Sequence, residues 1–98
     1  MTLIFHRRVQ DDVAAILAHY DQAAGTSLLG DAFFDDLMAH VELARSDPTR
    51  FHFVRESVRR VNLKRFPYHF LFRISGDIVR ILVVRHHSRN PSYGSQRR

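Results

Sequence analysis

Tyr68-His-Phe-Leu-Phe-Arg-Ile74, then Ser75-Gly-Asp77, then Ile78-Val-Arg-Ile-Leu-Val-Val-Arg85 is the stretch that decides the fold. Tyr68, Phe70, Phe72 and Ile74 fall on alternate positions, the period of a strand with one face turned to a core. Ser75-Gly76-Asp77 has the composition of a hairpin turn. Residues 78–85 are the most apolar of the strand segments, too short and too rich in β-branched side chains for a helix, so they make the central strand. Upstream, residues 59–65 alternate with Val61 and Leu63 inward. Phe66-Pro67 interrupts them, because proline has no N–H to give to a ladder. Three successive strands predict an antiparallel meander.

Working back toward the N-terminus, Thr2 to Arg7 reads as a short strand. From Val9 the period becomes helical: Val9, Val13, Ile16, Leu17, Tyr20 and Ala24 share one face, and Asp11 and Asp12 place negative charge at the helix start. Gly25 ends that helix. Ser27 is the expected cap of a second, with Leu29, Phe33 or Phe34, Leu37, Val41 and Ala44 as its stripe and Asp47-Pro48 as its stop. The class is therefore α+β in the order β-α-α-β-β-β, a helical hairpin packed on one face of a small, mainly antiparallel sheet. Residues 1–98 form a single domain, with 86–98 a basic C-terminal tail of no periodicity. Arg60, Asn62, Lys64, His69, Leu71 and Arg73 fall opposite the apolar set, which predicts an open basic face decorated with histidine.

Charge sharpens this reading. Residues 1–49 carry three basic groups against eight acids, a balance of −5, whereas residues 50–98 carry twelve against two, a balance of +10. Neither half is long enough to bury a core alone, so one small domain presents a basic half suited to polyanions or an acidic polypeptide. The absence of cysteine excludes disulfides, thiolate metal sites and cysteine nucleophiles. The longest purely apolar run, Val13 to Ala18, is far short of a membrane span, and at the N-terminus the charges follow the apolar patch, the reverse of a signal peptide. A cytoplasmic protein with no membrane contact is expected. No glycine motif cradles a phosphate, no histidine spacing matches a metal site, and neither metal nor cofactor is expected.

RNA cleavage through the 2′-hydroxyl needs a proton acceptor, a proton donor and cations facing the phosphorane. His69, His86 or His87, with Lys64, Arg73, Arg85 and Tyr93, are the candidates for one patch on the strands and tail; the alternative is that these histidines are strand-end polar residues on a basic surface. Phe66, Tyr68, Phe70 and Phe72 suggest a stacking platform for bases, but their alternation fits a core face better.

Val58 to Ile74, with Arg65-Phe-Pro-Tyr68 inside it, the apolar strand ending in His86-His87, Arg89-Asn-Pro91, and Asp12-Val-Ala-Ala-Ile-Leu-Ala-His-Tyr20 together resemble the RelE/ParE superfamily of toxins from bacterial type II toxin–antitoxin systems. The resemblance covers nearly the whole chain and implies the same β-α-α-β-β-β fold. It implies a toxin that arrests growth and is held inactive by a cognate antitoxin with an acidic or amphipathic segment. Two branches differ in target: RelE-like toxins cut messenger RNA in the ribosome, and ParE-like toxins poison DNA gyrase. The Phe66-Pro67-Tyr68 segment and the His86-x-x-Arg89-x-Pro91 ending are similar to the ParE-like branch, and His69 stands where the nucleases usually carry an arginine. The first expectation is thus a gyrase poison of plasmid-stabilisation type, with Arg60, Lys64, Arg65, Arg73, Arg85 and Arg89 as target- or phosphate-binding groups. The alternative is a metal-independent, ribosome-dependent mRNA endonuclease using His69, His86, His87 and Tyr93. A second alternative is a non-catalytic nucleic-acid-binding domain.

Overall fold

Helical periodicity in the first half and strand periodicity in the second are both realised in the computed structural model, which describes all 98 residues. Strand β1 (Thr2–Phe5) leads into helices α1 (Val9–Ala24) and α2 (Leu28–Ser46). A 3-10 turn at Pro48–Arg50 precedes β2 (Phe53–Arg55), β3 (Val58–Asn62), β4 (Tyr68–Ser75) and β5 (Ile78–His86). Gly25 closes α1 in the left-handed region (φ 68°) and returns its N–H to the Asp21 carbonyl, which lets two antiparallel helices join through a short turn. Ser27 does not cap α2: it is itself helical in conformation, and the Thr26 hydroxyl accepts the Leu28 N–H at 3.2 Å instead. Phe33, not Phe34, faces inward, and Gly30 rather than Leu29 occupies the first buried position of the stripe.

The sheet runs β1-β5-β4-β3-β2, with β1 parallel to β5 and every other pair antiparallel. It holds one strand more than the alternation predicts. β2 is a three-residue edge strand exposed throughout, so no inward-facing side chain marks it in the sequence. On the helical side, Phe33, Leu37, Val41 and Ala44 of α2 bury against Val61, Phe70, Phe72, Val79, Ile81 and Val84. Tyr20, Phe33, Phe66 and Tyr68 form an aromatic knot with centroids 5.2–6.0 Å apart, mostly edge to face. These rings are core, as their alternation indicated, and offer no stacking platform.

The opposite face departs from the simple picture of an open surface. Phe70 pairs with Val84 and Leu71 with Val83, but Phe72 pairs with Ile81, so β5 carries one extra residue at Leu82. This bulge turns both Leu82 and Val83 away from the helices, where they form a second buried cluster with Val58 and Leu71. An apolar patch on an outer face needs a cover, and the C-terminal tail supplies it. Tyr93 packs on the cluster. Gly94, at φ 76°, presses its backbone so close that a Cβ there would lie 2.6 Å from Val83 Cγ2. The tail carries no helix or strand after His86, and it is strapped across the middle of the sheet, leaving the face open only toward its ends.

Candidate functional site

The strap is held by a carboxylate that the sequence placed in the first turn of α1. Asp12 is turned inward and buried, with a side chain only 1% exposed. Its Oδ2 accepts the Val84 N–H at 3.1 Å and Arg97 Nη1 at 2.6 Å; its Oδ1 accepts the Tyr93 hydroxyl at 2.8 Å and Arg97 Nη2 at 3.1 Å. Arg97 Nη1 also reaches the Leu82 carbonyl at 3.2 Å, and the bond to Asp12 raises the guanidinium's already high pKa. A buried carboxylate is tolerable only with such pairing. Tyr93, a candidate proton donor in the sequence, spends its hydroxyl on this anchor.

At one end of the same face, register assembles a cationic corner. Asn62 pairs with His69 and His69 with Arg85, so their side chains share the outer face with Arg60. The His87 N–H donates to the Pro67 carbonyl at 2.9 Å, which folds its ring onto the same corner. His69 and His87 lie near-parallel, at 10°, with centroids 5.2 Å apart. Their Nδ1 atoms are 3.0 Å apart, so the rings meet nitrogen to nitrogen at their edges and not face on face.

The protonation pattern follows from the donors. Arg85 Nε donates to His69 Nε2 at 2.9 Å, and a guanidinium has no lone pair to offer in return, so that nitrogen is bare. The His69 proton then sits on Nδ1 and is donated to His87 Nδ1, which also receives Arg60 Nη2 at 3.3 Å. Both rings are neutral, with the His87 proton on Nε2. Burial first, then Arg60, Arg85 and the neighbouring histidines, push His69 down to about 3. Burial, Arg60 and His86 lower His87 as well. Arg85 is lowered by burial and by Arg60 and Arg55, while its Nη1 ties down the Pro91 and Tyr93 carbonyls at 2.9 and 2.7 Å.

Of the residues singled out by sequence, the structure brings together His69, His87, Arg60 and Arg85. His86 turns to the other side, edge-on to Tyr68, and its Nδ1 accepts from the Ser88 N–H and hydroxyl. With His19 and Arg89 it lines a small pocket of about 180 Å³, where Arg89 stands 4.1 Å over the Tyr93 ring. Arg73 lies at the far end of β4, beside Arg80 on β5, with its Nε on the Ser57 hydroxyl. Lys64 and Arg65 are exposed in the β3–β4 loop, Arg65 on the side of α2, where its N–H meets Asp36. Sequence reasoning missed Asp12 and Arg97 as a pair. It also missed Arg55, which donates to the Ser95 carbonyl at 3.0 Å and so adds a third tie on the tail. No three His, Asp or Glu side chains converge as metal ligands. On the helical side, Phe5, Val13, Leu17, Phe34, Met38 and Val41 line an apolar groove of about 530 Å³ between β1 and the hairpin.

Residues 3–91 match the family described as ParE toxin of type II toxin-antitoxin system, parDE. The chain belongs to the ParE toxin family. The ParE-like branch that the sequence favoured is therefore the right one, and membership makes the chain the toxin half of a two-component system. A solved structure described as the chromosomal ParDE toxin–antitoxin system from P. aeruginosa shares the ParE fold at a TM-score of 0.78 and 24% identity, over 88% of this chain and 95% of that one. No curated protein sequence matches the chain. No helix is long and apolar enough to cross a membrane.

Proposed function

We propose that this ParE-family toxin arrests growth by binding DNA gyrase through the cationic corner of Arg60, Arg85 and His87, without chemistry of its own. The observation that carries the reading is that both ring nitrogens of His69 are held, Nε2 by Arg85 at 2.9 Å and Nδ1 by His87 at 3.0 Å. With both nitrogens engaged and its pKa near 3, it neither accepts nor releases a proton at neutral pH. Tyr93 is committed to Asp12 and His86 faces the other way, so no donor and acceptor flank a common point on this face. What the corner offers is positive charge on a rigid sheet, which favours binding over proton transfer. The test sets two assays side by side. Purified toxin should inhibit plasmid supercoiling by gyrase and leave ribosome-bound message intact; message cleavage with undiminished supercoiling overturns the proposal.

The cognate antitoxin has a natural seat in the apolar groove. Phe34 and Phe5 are each about 40% exposed there, and Arg7 stands on the rim. An amphipathic antitoxin segment that folds on binding buries these rings and sets its acids against the rim, the helix-in-groove mode of recognition.

A further inference from the structure

The cationic corner lacks any counter-ion. His87 is faced by His69 from β4, by Arg60 from β3 and by its own neighbour His86 from β5, while Arg85 stands on the far nitrogen of His69; Asn62 is neutral and accepts from Arg60 Nε at 2.8 Å. Nitrogen Nε2 of His87 is the one ring nitrogen of the pair that makes no bond within the protein, and it belongs to an exposed side chain. Two guanidinium groups and an outward imidazole N–H beside one another, with no carboxylate, form a cluster of donors for an oxyanion.

Of the pair, only His87 is free to take up a proton, because Arg85 holds Nε2 of His69. If His87 gains one on Nδ1, that N–H confronts the Nδ1–H of His69. His69 cannot reverse its tautomer, because Arg85 occupies its Nε2. The protonated His87 ring must therefore swing away from His69 and present its new N–H to solvent. Nearby cations oppose this in the free protein; an anion at the corner reverses the balance.

We propose that the His87–Arg60 corner binds a backbone phosphate of DNA and that His87 takes up one proton as it does so. This rests on the reading of the corner as the target-contact surface, and adds the ligand class and its linkage to pH. The rest of the face favours a nucleic acid over an acidic peptide. Arg73 and Arg80 pair at the opposite end of the strands. They stand four residues from the His69–Arg85 row, about 13 Å along a strand. A duplex holds its phosphates, about 3.4 Å of axis apart on each strand, at fixed positions across that span, whereas an acidic peptide of similar charge spacing must lose chain entropy to match it.

The experiment needs no gyrase. Binding of a DNA duplex of about 12 base pairs, and of a poly-glutamate peptide, is measured by calorimetry at about pH 7.5 and about pH 5.5, at fixed ionic strength and in two buffers of different ionisation heat. The duplex should bind at least about tenfold tighter at the lower pH, the ratio that an average uptake of about half a proton gives over two pH units, and up to about a hundredfold if a full proton is taken up throughout. His87→Gln should reduce that ratio to about twofold or less, and Arg60→Gln should weaken binding at both pH values. Equal affinity at the two pH values, an undiminished ratio in His87→Gln, or tighter binding of poly-glutamate than of the duplex would overturn the proposal. Folding of both variants is checked by amide NMR spectra, which also report whether the His69 and His87 rings separate. A failure here leaves gyrase inhibition standing, and a failure of gyrase inhibition leaves proton-linked duplex binding standing, so the two readings fall separately.

Discussion

Arg97 reaches Asp12 across 85 positions of sequence, Nη1 to Oδ2 at 2.6 Å and Nη2 to Oδ1 at 3.1 Å, and so fastens the end of the chain to the start of α1. The link closes the tail over the Leu71–Leu82–Val83 cluster, and with it the fold acquires a second core on the face away from the helices. Removing one partner strands a buried charge. Arg97→Ala should lower stability by about 3 kcal/mol, a large share of what a small domain possesses. Adding Asp12→Asn to it should recover part of that loss, because the stranded charge disappears. Urea titrations of the two single variants and the double variant measure the coupling; strictly additive losses contradict a specific pair.

Gly94 is the point where the strap touches the sheet. Alanine there meets both a left-handed backbone and a contact of 2.6 Å with Val83, which sits in a strand and cannot retreat. Gly94→Ala should cost about 2 kcal/mol and free residues 92–98 for proteolysis. Limited digestion followed by mass spectrometry reads the outcome, and a tail as resistant as in the parent contradicts the close approach.

Acid should weaken the fold through His69. Its pKa falls from 6.5 to about 3 on folding, so the unfolded chain binds the extra proton between those values. The stabilising effect of keeping the ring neutral is complete above about pH 6.5 and is lost progressively as the pH drops toward 3, at up to about 1.4 kcal/mol per pH unit. His87 and His6 are lowered too and steepen the upper part of the same window. Denaturation midpoints between about pH 7 and pH 5, above most carboxylate titration, should fall with acidity. A His69→Leu variant should flatten the slope; an unchanged slope assigns it elsewhere.

Phe34 stands on the groove side of α2 and is substantially exposed, so Phe34→Asp should change stability by no more than about 0.5 kcal/mol. It should nevertheless weaken the antitoxin's hold by tenfold or more, about 1.4 kcal/mol. Co-expression reads this directly: the variant arrests growth even with the antitoxin present. Full neutralisation of Phe34→Asp would move the antitoxin off the groove.

Much of the scaffold was legible because it rests on local periods. The stripe of Phe33, Leu37, Val41 and Ala44 and the alternation of Tyr68 through Ile74 are each written within one element. β2 left no trace because an exposed three-residue edge strand has no inward face to pattern. The bulge at Leu82 was hidden by an uninterrupted apolar run, in which a one-residue shift changes no residue type. Asp12 read as a helix-start charge, since its partners stand at positions 84, 93 and 97 and no local rule connects them. Of the candidate site, Arg60 and His69 fall on one face by strand alternation, whereas the single patch expected of His69, His86 or His87, Lys64, Arg73, Arg85 and Tyr93 divides, with Lys64, Arg73 and His86 set elsewhere. That His69 and His87 would lock each other neutral depended on hydrogen bonds between strands and tail, which only coordinates display.

The central claim is that the cations gathered on the outer face act by binding. It is tested most directly by titrating gyrase supercoiling with the parent toxin, with Arg60→Glu and with Arg50→Glu. Arg50 lies next to Phe51, which packs toward the helical core, and so stands apart from the corner. The account predicts that Arg60→Glu needs about tenfold more protein for half-inhibition, and that Arg50→Glu stays within about twofold of the parent. Equal potency of the parent and Arg60→Glu would contradict it.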